Sequence, residues 1–225
     1  MAVTKDNVIV ISHDPILDPP GCTGPRKSTV IRQLTLAEVR QWDCGAAPNP
    51  RFPAQQAIPG TRMPTLDEVF QLAPRGAFDY NLETKSFPDK PEYTPPPEEF
   101  ARLALRKIRQ YQLGQRIILQ SFDFRTLVAM RKLAPEIRLS ALVESDGRDF
   151  VAIAAEAADA EIVAPDFHLV TPQKVEAAHR AGVRVVPWTA NTPADWDMLI
   201  QAKVDAIISD DPGELIAYLK NSGQR

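Results

Sequence analysis

Ala77-Phe78-Asp79-Tyr80-Asn81-Leu82-Glu83-Thr84-Lys85 opens the regular part of the chain. Its first residues are of strand-forming type with little helical character, which predicts a strand over 77–83. Successive strand side chains alternate faces, so Asn81, Glu83 and Lys85 point the same way. An amide, a carboxylate and an ammonium therefore meet at one strand end, just before the proline-rich stretch 86–97. These residues support two readings: a salt bridge that closes the strand, or a place where a cation and an anion sit side by side.

The pattern repeats downstream. A helix is expected over 97–112, with Phe100, Leu103, Ala104, Ile108 and Tyr111 on one side. Short apolar strands follow at 116–120, 137–143, 161–164, 183–187 and 205–208. Amphipathic helices alternate with them at 124–134, 148–158, 172–181, 193–201 and 213–220. Short apolar strands that each feed a helix imply repeated βαβ units and a parallel sheet. No Gly-rich phosphate turn is present, which disfavours an open nucleotide-binding sheet. A (β/α)8 barrel fits the even spacing, although the units fall short of eight by a strand and its helix. Such barrels carry their sites at the strand ends, here His13, Glu83, Lys85, Ser121-Phe122, Glu144, Asp166, Trp188 and Asp210.

Before residue 77 the chain is irregular. Residues 1–12 read as two short strands joined at Asp6-Asn7. His13 follows the second strand and is a candidate acid or base; the alternative is a loop histidine with one backbone hydrogen bond. Residues 16–64 read as mostly loop, punctuated by prolines including Pro19, Pro20, Pro48, Pro50, Pro53 and Pro59. Two capping boxes stand out, Thr35-Leu36-Ala37-Glu38 and Thr65-Leu66-Asp67-Glu68. They predict helices over 36–42 and from 66 to about 73. A loop region this long in a compact domain is expected to serve function, as a lid or a substrate-selecting insertion.

Composition narrows the class. With 225 residues, 44% apolar content and a net charge of −3, the chain reads as a globular α/β domain, not a nucleic-acid binder working by bulk charge. It holds no apolar run long enough for a transmembrane helix and no visible signal peptide. Cys22 and Cys44 could pair in an oxidising compartment or be two unrelated thiols, and their spacing is not that of a zinc or redox motif.

Taken in order, these segments resemble the glycerophosphodiester phosphodiesterase family. Thr4-Lys5-Asp6 with Val8-Ile9-Val10-Ile11-Ser12-His13-Asp14 is similar to that family's T-K-D-G-x-x-V-x-x-H-D segment. Leu34 to Glu38 and Pro64 to Glu68 resemble its two helix openings. Asn81-Leu82-Glu83-Thr84-Lys85 resembles its N-x-E-x-K strand. Gln120-Ser121-Phe122, Val185 to Asn191 and Val204 to Pro212 resemble its later strand ends.

The resemblance implies an N-terminally truncated TIM barrel spanning 1–225 as one partial domain, with a loop-rich insertion at 16–64. It implies hydrolysis of glycerophosphodiesters to glycerol 3-phosphate and an alcohol, using a divalent cation such as Mg2+ or Ca2+. By position, Glu83 is a metal ligand, His13 the acid that protonates the leaving alkoxide, and Lys85 the group that neutralises phosphate charge. Phe122 and Trp188 wall the pocket for the glycerol or alcohol part. The family's H-R-G and E-x-D motifs do not occur in this chain, and the expectation is that they precede Met1, with weak or no activity without them. The implied partner is a small glycerophosphodiester, with no nucleic acid. The expected protein is soluble, cytoplasmic, or periplasmic or secreted if a signal peptide precedes these residues. Two other readings are a barrel aldolase with Lys85 as its Schiff-base lysine, and an inactive barrel that binds phosphodiester ligands.

The remaining polar residues have quieter expected roles. His168 is read as a loop residue and His179 as a helix-surface residue. Trp42 and Trp196 are expected in packing, Glu144 within reach of substrate, and Asp210 or Asp211 as a helix cap before Pro212.

Overall fold

The structure is a computed structural model that describes residues 1–52 and 55–223. Pro53, one of the loop prolines, lies outside the described residues. The chain divides into two compact units, Met1–Ile137 and Arg138–Arg225.

The first unit opens with strands β1 (Ala2–Val3) and β2 (Ile9–Val10), paired antiparallel with Ala2 opposite Val10. Asn7 makes the turn in the left-handed region, at φ 60°. Its short polar side chain tolerates that conformation. The Asp6 carboxylate accepts hydrogen bonds from the Thr4 hydroxyl at 2.6 Å and from Leu36 N at 3.0 Å, so the turn is tied to the next helix.

The stretch expected to be mostly loop has more order than its prolines suggest. Strands β3 (Ile16–Leu17) and β4 (Thr29–Val30) form a second antiparallel hairpin, unforeseen in the sequence. Cys22 and Cys44 are joined by a disulfide. Leu17, Ile31, Leu34, Val39, Trp42 and Met63 bury themselves around it, together with Ala2 and Val10 of the first hairpin. The insertion and the first hairpin thus share a small core, stapled by one covalent bond.

Both capping boxes form. Helix α1 (Leu36–Val39) starts at Thr35 and α2 (Leu66–Phe70) at Thr65, each with its glutamate reaching back to the cap. α1 is shorter than the expected 36–42. It ends at Arg40, and Trp42 turns inward to the insertion core, 2% exposed.

Strand β5 (Tyr80–Glu83) runs parallel to β6 (Ile117–Ser121), with Tyr80 opposite Ile117 and Glu83 opposite Gln120. β5 starts three residues later than the expected 77. Arg116 explains the difference: its guanidinium donates to the carbonyls of Ala73, Gly76 and Phe78, so those groups are satisfied outside a ladder. Helix α3 (Pro97–Gln110) buries Phe100, Leu103, Ala104 and Ile108 as expected, and ends short of the expected 112, with Tyr111 as its half-buried C-cap. Helix α4 (Phe124–Leu133) follows β6 and is capped by Asp123.

In the second unit, β7 (Arg138–Val143), β8 (Ile162–Pro165) and β9 (Arg184–Val185) form a parallel run. Helices α5 (Phe150–Glu156), α6 (Pro172–Arg180), α7 (Pro193–Gln201) and α8 (Pro212–Asn221) alternate with or follow these strands. The expected strand at 205–208 does not form a ladder. Its backbone still bonds to the β9 segment: Asp205 N to Val185 O at 2.9 Å, Ile208 N to Pro187 O at 2.9 Å, and Ala190 N to Ile208 O at 3.1 Å. Asp211 caps α8 as expected, while Asp210 accepts a bond from Asn191.

Candidate active site

The alternation expected along β5 is observed. Tyr80, Leu82 and Thr84 are buried on one face, and Asn81, Glu83 and Lys85 lie on the other. The buried face fixes the direction of the second. Thr84 N donates to Gln120 O at 3.0 Å, which carries the β5–β6 pairing one residue further. The Thr84 carbonyl accepts from the Ser121 hydroxyl at 2.9 Å. The Thr84 and Thr126 hydroxyls lie 2.9 Å apart, and Thr126 also donates to Asp123 O. Residue 84 is thus held by groups of β6 and α4, and its neighbours are aimed to the opposite side.

On that side Lys85 Nζ lies 3.0 Å from Glu83 Oε1, with both side chains less than a fifth exposed. The approach is close enough for an ion pair but is not a directed hydrogen bond, and Oε1 is buried without a donor. A buried carboxylate oxygen without a donor is costly, and it is chemically suited to a cation. Lys85 Nζ also stands 5.4 Å from the Phe122 ring centre. Asn81 is committed elsewhere, donating to the Gln120 side chain at 2.9 Å. The Met1 backbone nitrogen donates to the Glu83 carbonyl at 2.7 Å.

The loop leaving this strand is anchored by Asp123. Its carboxylate accepts from the Ser86 hydroxyl at 2.8 Å and from two nitrogens of Arg125 at 2.8 and 2.7 Å. Burial raises its pKa, but these donors outweigh burial and hold it below the usual aspartate range. Sequence reasoning missed Asp123. Its signal was an acidic residue two positions before a basic one, immediately after a strand end.

His13 lies on an exposed loop after β2, its Nδ1 3.0 Å from Asp14 Oδ1. It lines a cavity of about 970 Å3 together with Asp14, Arg51, Phe87, Lys90 and Tyr93. Glu83 and Lys85 do not line this cavity. The structure therefore brings Glu83, Lys85 and Phe122 into one cluster and places His13 apart from them, in the wall of a cavity they do not line.

Trp188 belongs to the second unit. Its indole donates to Ala164 O at 2.7 Å, and its backbone pairs with Pro165 and Phe167. His168 sits 2.7 Å from Asp166 on an exposed turn, and His179 on the α6 surface pairs with Asp205 at 2.9 Å. Glu144 is exposed just past β7. Trp196 is buried, as expected.

Among the described residues no group of three or more His, Cys, Asp or Glu side chains is placed to hold a metal ion. The fit of a divalent cation therefore rests on Glu83 alone.

The sequence model of the Glycerophosphoryl diester phosphodiesterase family matches residues 1–214. The chain belongs to this family. Within the family, a glycerophosphodiester phosphodiesterase of Caldanaerobacter subterraneus is 29% identical, over 98% of this chain and 84% of its own. A crystal structure of a glycerophosphoryl diester phosphodiesterase homologue from Silicibacter pomeroyi superposes with a TM-score of 0.88 at 29% identity, covering 98% of this chain and 81% of that one. An Oleispira antarctica phosphodiesterase, solved with the product sn-glycerol-3-phosphate, shares the fold at a TM-score of 0.80 and 22% identity, over 97% of this chain and 82% of that one. Family members are phosphoric diester hydrolases, and the fold class is the α/β, TIM-barrel-like class expected from the sequence.

Proposed function

We propose that the protein hydrolyses glycerophosphodiesters to sn-glycerol 3-phosphate and an alcohol, in the turnover of glycerol-based lipids. The observation that carries this reading is the Glu83–Lys85 pair, 3.0 Å apart on one face of a strand end, with a buried Glu83 oxygen that has no donor. A phosphodiester resists attack because it is an anion, and a site for it needs positive charge near the phosphoryl oxygens.

Lys85 supplies that charge as a point cation and is partly shielded from water, so its field is screened less than at the surface. Glu83 serves as one ligand of a divalent cation, Mg2+ or Ca2+. When bound, such a cation offsets charge building on the phosphoryl oxygens. Phe122 supports the Lys85 ammonium through its ring face and borders the substrate's carbon skeleton. His13 donates a proton to the oxygen of the departing alcohol. Asp14 Oδ1, 3.0 Å from Nδ1, orients the ring so that Nε2 faces away from Asp14.

The test is release of glycerol 3-phosphate from glycerophosphoethanolamine, with and without EDTA. Turnover that EDTA abolishes and Mg2+ or Ca2+ restores supports the reading. Calorimetric binding without any turnover under all metal conditions would instead identify a barrel that binds phosphodiesters without cleaving them.

A further inference from the structure

We infer that the cavity beside His13 selects a leaving alcohol that carries its own negative charge, with Lys90 as the residue that reads that charge. The inference rests on the phosphodiesterase reading, in which His13 protonates the departing oxygen. A group bonded to that oxygen extends into the space that His13 lines. That space is the cavity of about 970 Å3, large enough for a compact alcohol with an ionic group.

The charges around the cavity are not balanced in their availability. Its two carboxylates are engaged: Asp14 lies 3.0 Å from the His13 ring, and Asp18 accepts from Ser28 N at 3.3 Å. Of its cations, Arg62 donates to the Trp42 carbonyl at 3.0 Å. Lys90 and Arg51 instead rest on aromatic rings, Lys90 Nζ at 5.5 Å from Tyr93 and Arg51 Cζ at 5.9 Å from Phe52. Among the described residues the Lys90 ammonium rests against a ring without a side-chain hydrogen bond or ion pair, which keeps its donors for a ligand.

The backbone presents these groups together. Lys90 N donates to Phe87 O at 3.2 Å and Tyr93 N to Lys90 O at 3.1 Å. Two successive turns thus place Phe87, Lys90 and Tyr93 at three-residue intervals, with the Phe87 and Tyr93 rings edge-to-face at 5.9 Å. A quaternary ammonium such as choline would seek that aromatic face and nearby carboxylates. Here Lys90 already occupies the face and repels a second cation. A carboxylate or phosphate on the alcohol meets the opposite situation and gains Lys90 as a donor.

Glycerophosphoserine and glycerophosphoethanolamine differ only by the serine carboxylate, so they isolate this term. We would measure kcat/KM and calorimetric Kd for both diesters on the full chain, for the wild type and for Lys90→Glu. The wild type is expected to favour the serine diester by about 5-fold, the size of one exposed charge pair. Lys90→Glu is expected to abolish or reverse that ratio. A ratio cancels any loss of folded protein. A wild-type preference for the ethanolamine diester, or the same ratio in both proteins, overturns the inference. If neither diester is turned over, the phosphodiesterase reading fails, and the ratio of Kd values decides the charge selection on its own.

Discussion

The hydroxyls of Thr84 and Thr126 meet at 2.9 Å on the buried face of β5, directly behind the face that carries Glu83 and Lys85. This contact fixes the aim of the two charged side chains from the rear. Thr84→Val keeps the shape and removes the hydroxyl, leaving Thr126 its bond to Asp123 O. The expected loss is about 1 kcal/mol of stability, the net value of one buried hydrogen bond. It is read as a lowered urea midpoint at unchanged slope. A change in activity larger than the loss of folded protein would show that the pair has also lost its aim.

Glu83→Gln tests the cation. The substitution keeps the size of the side chain and removes its charge, so the position no longer attracts a divalent ion. In the wild type, Mg2+ or Ca2+ that binds only the folded state raises Tm as its concentration rises. The variant is expected to show no such rise, and its phosphodiesterase activity is expected to fall at least about 100-fold. A wild type whose Tm ignores both ions, or a variant that still responds, would remove Glu83 from the ligand set.

The Cys22–Cys44 bridge holds the insertion core that forms one side of the His13 cavity. It closes a loop of 22 residues, and a crosslink of that span stabilises by about 3 kcal/mol through the unfolded chain. Reduction with dithiothreitol is expected to lower Tm and to make the insertion the first region cut by limited proteolysis. A Cys22→Ser, Cys44→Ser double variant should match the reduced protein and stop responding to reductant. If reduced and oxidised proteins melt together, the bridge is not holding the fold.

The steric demand of that core can be tested at Gly24. A Cβ built on this residue would run into the indole of Trp42. Trp42 is 2% exposed and has no open side to move into. Gly24→Ala is therefore expected to cost on the order of 1–3 kcal/mol, the range for overpacking a filled core. A lowered urea midpoint at unchanged slope reports it, and an unchanged midpoint would show that the core yields to the added methyl.

Legibility from sequence followed the range of the forces involved. The β5 alternation and the capping boxes at Thr35 and Thr65 depend on residues a few positions apart, and they were readable. So were most strand and helix boundaries after residue 97, where apolar periodicity is strong. The β3–β4 hairpin was not, because Ile16 and Val30 are joined across a proline-rich loop whose local signals all argue against a strand. The 205–208 segment reads as a strand by composition but makes only a few backbone bonds to the β9 segment, too few for a ladder. Glu83 and Lys85 were legible as a pair. The placement of Lys90 on Tyr93 was not, because it depends on two turns whose geometry no local pattern announces.

Asp123 makes the stability of the β6–α4 turn depend on pH. Its side chain is 4% exposed and accepts from Ser86 and Arg125, and these donors hold its pKa below the ordinary value in the folded protein. The unfolded chain returns it to about 3.9. A depressed folded pKa contributes stability that is fully present above the unfolded value and is lost as pH falls through the folded one. Wild-type stability attributable to Asp123 should thus be constant from neutral pH down to about 4 and decline below it. Asp123→Asn removes the charge, weakens the Arg125 bonds and is expected to cost roughly 2 kcal/mol at neutral pH. The gap between the two proteins should narrow as pH drops below about 4, because protonation does to the wild type what the substitution does to the variant. Urea midpoints measured across that range decide it, and a gap that stays constant into acid would show that the charge of Asp123 does not stabilise the fold.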